Sequence, residues 1–346
     1  MKIGLITFHW ATNYGAVLQT YALSKALTSQ GANVEIIDYY PKKYKKTYFN
    51  AIKTRHIKKI KRRIKDIPKD KRIEKFREKY FNRTGYYCSC KQLKMNLPEY
   101  DCYICGSDQI WNMSFIMHGE HRKTFVYYLD FAPKDKILVS YAASFGTNKC
   151  RDDLKEQIKN QLLKFDFISV RENTGMEIVK DMGIDNVCVV PDPTLLLGVK
   201  DYTVLLKDTV NKTGNFVYIL HNRYKDAIEI IDHLKSNEET IYYSDIESVE
   251  QWIANIKNAD RVITNSFHGI VFSILFKKPF VALLIKNSGM NDRIITLLEM
   301  LGLEDRIYNG DLSMIDKSID WDDVQERLSA FRKTGYDYIR KVLNAK

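Results

Sequence analysis

Met1-Lys2-Ile3-Gly4-Leu5-Ile6-Thr7-Phe8 opens the chain, and Ala11-Thr12-Asn13-Tyr14-Gly15 follows it. The first run is short and mostly apolar, the pattern of a buried strand. Beyond the loop, residues 16–29 carry Val17, Leu18, Tyr21, Leu23 and Leu27 at helical spacing, and Gly31 supplies a C-terminal stop. Val34-Glu35-Ile36-Ile37-Asp38 is the next strand. Strand, loop, helix and strand in that order open a doubly wound α/β domain.

The same alternation continues. Strands are predicted at residues 100–105, 137–146 and 167–170, ending respectively in Gly106-Ser107-Asp108-Gln109, in Ser144-Phe145-Gly146 and in Arg171-Glu172. A polar helix is predicted over residues 151–163, and a further helix breaks near Gly183. Val187-Cys188-Val189-Val190 leads into Pro191-Asp192-Pro193-Thr194. Residues 197–214 show no clear period and mark a domain boundary. A second α/β unit starts at Phe216-Val217-Tyr218-Ile219-Leu220, with further strands at 240–243, 261–264 and 279–284. The organisation expected is an N-terminal Rossmann-like domain over 1–200 with a basic helical insertion at about 42–83. A C-terminal Rossmann-like domain over 214–320 follows. An amphipathic helix over 321–346, interrupted near Gly335, packs back on the N-terminal domain.

At 346 residues, 45% hydrophobic and 28% charged, the chain has the composition of a soluble globular protein of two domains. The N-terminus is too quickly polar for a secretory signal and no run is long enough to span a bilayer, so a cytoplasmic location is expected. The net charge of +11 is concentrated: residues 42–79 hold 18 Lys and Arg against 4 Asp and Glu, a surplus of 14, and the rest of the chain is slightly acidic. This segment reads as helix, broken at Pro68, with Ile57, Ile60, Ile64 and Ile67 on one face and cations on the other. A solvated face is the commonest use of such a helix. Peripheral contact with an anionic membrane through residues 42–79 is the next. Nucleic-acid binding is not expected, because no reader module accompanies the charge.

The six cysteines are too few for a disulfide framework. Cys88, Cys90, Cys102 and Cys105 have zinc-like spacing, but Cys102 and Cys105 lie on a predicted strand and point to opposite faces. No metal is expected.

Ligands of open α/β sheets sit beyond the C-terminal ends of strands. Polar clusters fall there in Asn13-Tyr14-Gly15, Gly106-Ser107-Asp108, Arg171-Glu172 and Ser266-Phe267-His268-Gly269. The last is the sharpest. It puts a titratable ring, a hydroxyl and a glycine at a strand-to-helix turn, where backbone amides meet an anion. His9 and His221 also follow predicted strands and are secondary candidates. Lys286 and Arg293 place two cations just after the strand that ends near Leu284.

Taken in order, Asn13-Tyr14-Gly15-Ala16-Val17-Leu18-Gln19, Cys105-Gly106-Ser107-Asp108-Gln109-Ile110-Trp111-Asn112, Ser169-Val170-Arg171-Glu172, Asp192-Pro193-Thr194 and Ser266-Phe267-His268-Gly269 closely resemble the polysaccharide pyruvyl transferase family. The resemblance spans about residues 1–310. It implies a glycosyltransferase-B-like fold, with two Rossmann-like domains facing across a cleft. It also implies transfer of a carboxyethylidene (pyruvate) group from phosphoenolpyruvate to two sugar hydroxyls of a glycan, possessing no other cofactor. His268 and Arg171 map onto the family's donor-linked histidine and arginine, and Lys286, or alternatively Arg293, onto its later lysine. The donor set implied is Arg171, Ser266, His268, Gly269, Lys286 and Arg293, with His268 and Arg171 catalytic. Asn13, Tyr14, Gly15, Ser107 and Asp108 are the candidates for the acceptor glycan, which a lipid-linked carrier could present at the inner face of the membrane. Two other functions share the sequence features: a nucleotide-sugar glycosyltransferase of the same fold, and a basic, non-catalytic scaffold in glycan assembly.

Overall fold

The opening strand is β1 (Lys2–Ile6), of which only Lys2 is exposed, and α1 (Tyr14–Ser29) follows it. The computed structural model describes residues 1–40, 57–117, 124–220, 225–244, 246–285 and 288–345; side chains of 57–66, 115, 117 and 225 are not described. The chain divides into two units, Met1–Leu196 with Lys333–Lys346, and Leu197–Arg332. The boundary therefore falls ahead of the irregular stretch at 197–214, which belongs to the second unit.

In the first unit β1 is joined by β2 (Asn33–Ile36), then α2 (Ile57–Tyr80), α3 (Cys90–Asn96), β3 (Cys102–Asp108), β4 (Ile137–Ala143), α4 (Asp152–Leu162), β5 (Ile168–Val170), α5 (Asn173–Lys180) and β6 (Val187–Val189). The strands form one parallel sheet in the order β2-β1-β3-β4-β5-β6. Near-continuous apolar runs such as Tyr103-Ile104-Cys105 suit a sheet covered on both faces. β3 runs on through Gly106 and Ser107 to Asp108, which a reading by apolarity alone ends at Cys105. Winding reverses between β1 and β3, so the first switch point lies beyond Thr7 and Asp108.

The second unit repeats the plan with β7 (Asn215–Tyr218), α6 (Lys225–Ser236), β8 (Ile241–Tyr243), α7 (Val249–Asn258), β9 (Arg261–Thr264), α8 (Phe267–Leu275), β10 (Phe280–Ala282) and α9 (Asp292–Leu301). Its sheet is also parallel, ordered β10-β9-β7-β8, with the reversal between β7 and β9. Gly302 ends α9 in the left-handed conformation at φ 66°, the usual C-terminal stop.

Two expected helix breaks do not occur. Pro68 sits inside the continuous α2. A proline removes one helical hydrogen bond, and the contacts that follow offset it: Ile73 and Phe76 are buried, and Arg77 bonds backbone outside the helix. Ile67, expected on the buried face, is 43% exposed. Gly335 lies inside α10 (Trp321–Leu343), which begins in the second unit and enters the first at Lys333. There a Cβ would meet Leu196 Cδ2 and Tyr141 Oη at 2.7 Å and Pro191 Cγ at 2.8 Å. Close approach, not a chain break, accounts for the glycine. Tyr338 Oη then donates to the Ser140 carbonyl at 2.9 Å, and Tyr336 Oη to that of Leu196 at 3.2 Å.

This contact yields a test in which two effects oppose. Gly335→Ala gains about 1 kcal/mol of helix propensity. It loses about 1–3 kcal/mol to overpacking against Leu196, Tyr141 and Pro191. The expected outcome is a melting temperature lowered by a few degrees; a rise would show that propensity governs this site.

Candidate active site

At the second switch point Thr264 ends β9, and its hydroxyl donates to the Tyr218 carbonyl of β7 at 2.6 Å. Asn265 adds two bonds to Leu220, accepting from its amide and donating to its carbonyl, both at 2.7 Å. The exits of the two central strands are thereby tied together. Ser266 is the N-cap of α8 and accepts from Gly269 N at 3.2 Å. His268 is thus the second residue of a helix whose nine residues are all buried, and is itself 7% exposed. Its ring meets that of Phe267 edge-on at 5.2 Å. A helix start presents amides that the helix does not use and a positive dipole end. Imidazole and the free-amide end of a helix therefore share one turn.

Gly269 has a packing task that the sequence does not announce. Its amide serves the Ser266 cap, and a Cβ would meet Thr264 Oγ1 at 2.7 Å. The missing side chain lets α8 press against β9. Arg293, in the first turn of α9, has its guanidinium 5.8 Å from the Phe267 ring centre, on the residue next to His268. Lys286 and His221 lie outside the described residues.

At the first switch point the Thr7 hydroxyl donates to the Ser107 carbonyl at 3.0 Å and accepts from Gln19 Nε2 at 2.9 Å. The Ser107 hydroxyl donates to Asp192 Oδ2 at 2.9 Å, and Arg171 Nη1 reaches the same oxygen at 2.9 Å. Thr194 donates from both its amide and its hydroxyl to Asp192 Oδ1. Glu172 accepts from Phe145 N at 3.1 Å and lies 3.7 Å from Arg171 Nε. Arg171, Glu172 and Asp192 are each at most 3% exposed. Burial disfavours the Arg171 charge, but Asp192, Glu172 and Asp108 outweigh it and make the guanidinium harder than usual to deprotonate. Arg171 is therefore enclosed between carboxylates. Asp108 ends β3 at φ 73°, the left-handed region, with its carboxylate accepting from Gln109 N at 2.9 Å.

The remaining acceptor candidates turn out to serve α1. Asn13 is its N-cap, accepting from Gly15 N at 2.8 Å and Ala16 N at 3.4 Å. Tyr14 is fully buried beneath the Lys69 ammonium, 4.2 Å from the ring centre. Cys102 and Cys105 are buried, with the Cys102 thiol pushed up to about 12 by desolvation. Among the described residues no group of three or more His, Cys, Asp or Glu could hold a metal ion.

One cluster is weakly signalled in the sequence. His9, buried just past β1, faces Asp38 beyond β2 at 3.0 Å. Arg77 donates to the carbonyls of His9 and Ala11, both at 2.7 Å. Glu74 joins Arg77 at 2.9 Å and Arg83 at 2.8 Å. Only the position of His9 after a strand pointed here; its partners are separated by up to 68 residues.

These networks predict two behaviours. Arg171→Ala leaves Asp192 and Glu172 buried without their counter-charge and should cost about 3–5 kcal/mol of stability in denaturant unfolding. Burial raises both carboxyl pKa values, but His9, Arg83 and Arg77 outweigh it at Asp38, and Arg77 and Arg83 outweigh it at Glu74, holding them below their ordinary values of 3.8 and 4.5. Their stabilisation is complete above those values and is lost as pH falls through the depressed ones. Acid unfolding followed by circular dichroism should therefore be less steep in Asp38→Asn and Glu74→Gln.

No curated protein matches this sequence. Solved structures of similar fold include the UDP-GlcNAc 2-epimerase of Methanocaldococcus jannaschii in complex with UDP-GlcNAc and UDP, with TM-score 0.52, 12% identity and complete coverage of both chains. A putative UDP-N-acetylglucosamine 2-epimerase from Listeria monocytogenes has TM-score 0.53 and 10% identity, covering 100% of this chain and 95% of that one. At such identities the likeness concerns the fold, which is glycosyltransferase-B-like and built of two Rossmann-like units. The family model of polysaccharide pyruvyl transferases matches residues 13–287, a span that takes in the second switch point and, of the first, Ser107, Asp108, Arg171 and Asp192. This chain, an α/β protein with both candidate sites at strand ends, belongs to the polysaccharide pyruvyl transferase family and is a transferase.

Proposed function

We propose that this protein moves the carboxyethylidene group of phosphoenolpyruvate onto two hydroxyls of a cell-envelope or exopolysaccharide sugar, forming a ketal. The observation that carries the reading is His268 in the first turn of the buried helix α8, at a switch point within the family match. Phosphoenolpyruvate brings a phosphate and a carboxylate, which suit the amides and dipole of a helix start with Arg293 beside it. In this proposal His268 delivers a proton to the methylene carbon, and the first sugar hydroxyl attacks C2. The C–O bond to phosphate then breaks, and the second hydroxyl closes the ketal. The two hydroxyl protons end on the new methyl group and on inorganic phosphate, so the reaction balances without a redox partner. Ser266 holds the turn that presents His268, and Lys286 is retained as a candidate donor cation. Arg171 acts as a positioning residue through Asp192 and Ser107.

The likeness to epimerases bound to UDP and UDP-GlcNAc favours one second reading, a nucleotide-sugar donor in the same fold. Thermal protection separates the two: phosphoenolpyruvate stabilises the protein in the first reading, UDP alone in the second. No helix among the described residues is long and apolar enough to cross a membrane. We assign the basic segment 42–79 to peripheral contact with anionic lipid, where a lipid-linked acceptor would be met. Salt-sensitive sedimentation with phosphatidylglycerol vesicles is the expected result.

The decisive assay incubates the protein with phosphoenolpyruvate and candidate glycans. Phosphate release should match formation of an acid-labile pyruvate ketal. His268→Ala should lower kcat by about 10²–10⁴-fold with the melting temperature little changed, the usual range for a lost general acid. Turnover at the wild-type rate in that variant would overturn the assignment.

A further inference from the structure

Arg293 is the second residue of α9, as His268 is of α8. The residue ahead of α9 is Asn291, a type that ordinarily caps a helix by accepting amides of its first turn. Asn291 makes no such side-chain bond. Its carboxamide turns back to the chain beyond β10 instead. Oδ1 accepts from Ile285 N at 2.9 Å, and Nδ2 donates to the Ile285 carbonyl at 2.6 Å. Asn291 ends the short 3-10 turn Gly289–Asn291, so this grip joins the entry of α9 to the exit of β10.

The same device stands at the neighbouring turn. Asn265 accepts from Leu220 N and donates to its carbonyl, both at 2.7 Å, beyond the end of β7. Asn265 immediately precedes Ser266, the cap of α8. A carboxamide carries a donor and an acceptor side by side, so it can hold both backbone groups of one residue. A hydroxyl or a carboxylate of similar reach cannot satisfy the pair in the same way. Between the two grips, Leu283 N donates to the Thr264 carbonyl at 2.9 Å and joins the β10 exit to the end of β9. The entries of α8 and α9 are thereby referred to one set of strand ends. Their second residues meet at one ring: the Arg293 guanidinium lies 5.8 Å from the centre of Phe267, and the His268 ring stands edge-on to it at 5.2 Å.

We infer that Asn291 is a positioning residue for Arg293: its grip on Ile285 fixes the start of α9 against the β10 exit and so sets where the guanidinium stands beside Phe267 and His268. The inference deepens, and rests on, the reading of the α8 turn as a phosphoenolpyruvate site with Arg293 as a donor cation. The placement of Arg293 is itself independent of any donor, and the test uses that independence.

The test is Asn291→Ser in the full-length protein. Serine starts a helix about as well as asparagine but is too short to hold both groups of Ile285, so α9 keeps a competent start and loses the grip. The first readout needs no donor. The Arg293 Nε–H resonance, assigned by its loss in Arg293→Lys, should shift in Asn291→Ser as the guanidinium moves relative to the Phe267 ring. The second is kinetic: KM for phosphoenolpyruvate should rise about tenfold with kcat changed less than about twofold, the pattern of lost ground-state binding. Combining Asn291→Ser with Arg293→Ala should raise KM no further than Arg293→Ala alone, because one residue acts through the other. Should the serine variant fail to fold, Asn291→Asp keeps the acceptor oxygen and removes the Nδ2 donor; its effect should likewise be largely absent in the Arg293→Ala background. A lowered melting temperature with the Nε–H resonance and KM unchanged marks a merely structural role and overturns the inference, as do additive effects of the two substitutions. A shifted resonance with no phosphoenolpyruvate binding even in the wild type supports the positioning of Arg293 and overturns the donor reading instead.

Discussion

A parallel sheet whose winding reverses must join two strand ends from which the chain departs to opposite faces, and in each unit a threonine hydroxyl makes that joint. Thr7 reaches from the end of β1 to the Ser107 carbonyl of β3, and Thr264 from the end of β9 to the Tyr218 carbonyl of β7. Backbone groups at a switch point lack sheet partners on the far side, and unsatisfied buried ones cost about 1–3 kcal/mol each. The threonines and Asn265 supply the missing bonds without filling the crevice. The positions of Ser107, Ser266 and His268 all depend on them.

Around the first joint the structure concentrates charge. Asp192 receives hydrogen bonds from Ser107, Arg171 and Thr194, linking β3, β5 and the chain after β6 in one buried network. Such networks are costly to break and add little net stability compared with an apolar core. Their value here is geometric: the end of β3, with Asp108 in a left-handed conformation, is held from below. The second unit orders its turn through a capped helix and a glycine pressed against Thr264. One unit thus presents a rigid polar strand end and the other a helix start suited to anions.

Residues that stand out in the chain's motifs are largely occupied with backbone. Asn13 caps α1, Ser266 caps α8, and Gly269 admits a close approach. Motif prominence here marks the construction of the turns as much as the chemistry performed on them. His9, Asp38 and Arg83 carry no motif, because each is one polar residue after an unremarkable strand or helix. Their significance arises only when β1, β2 and α2 bring them together.

The sequence by itself determined the elements and the family. Apolar runs, the helical spacing of Val17 to Leu27, and the stop at Gly31 are local properties, readable wherever hydrophobic period and turn chemistry agree. The strand-to-helix turn at Ser266-Phe267-His268-Gly269 was legible for the same reason. Tertiary structure alone decided that Pro68 stays within α2, that Gly335 is a contact rather than a break, and that Arg171 is enclosed by carboxylates. It also decided that His9 meets Asp38 and Arg77. Those outcomes rest on contacts between residues distant in the chain. Local pattern records which face a side chain takes; it holds no record of the partner that packing brings to that face.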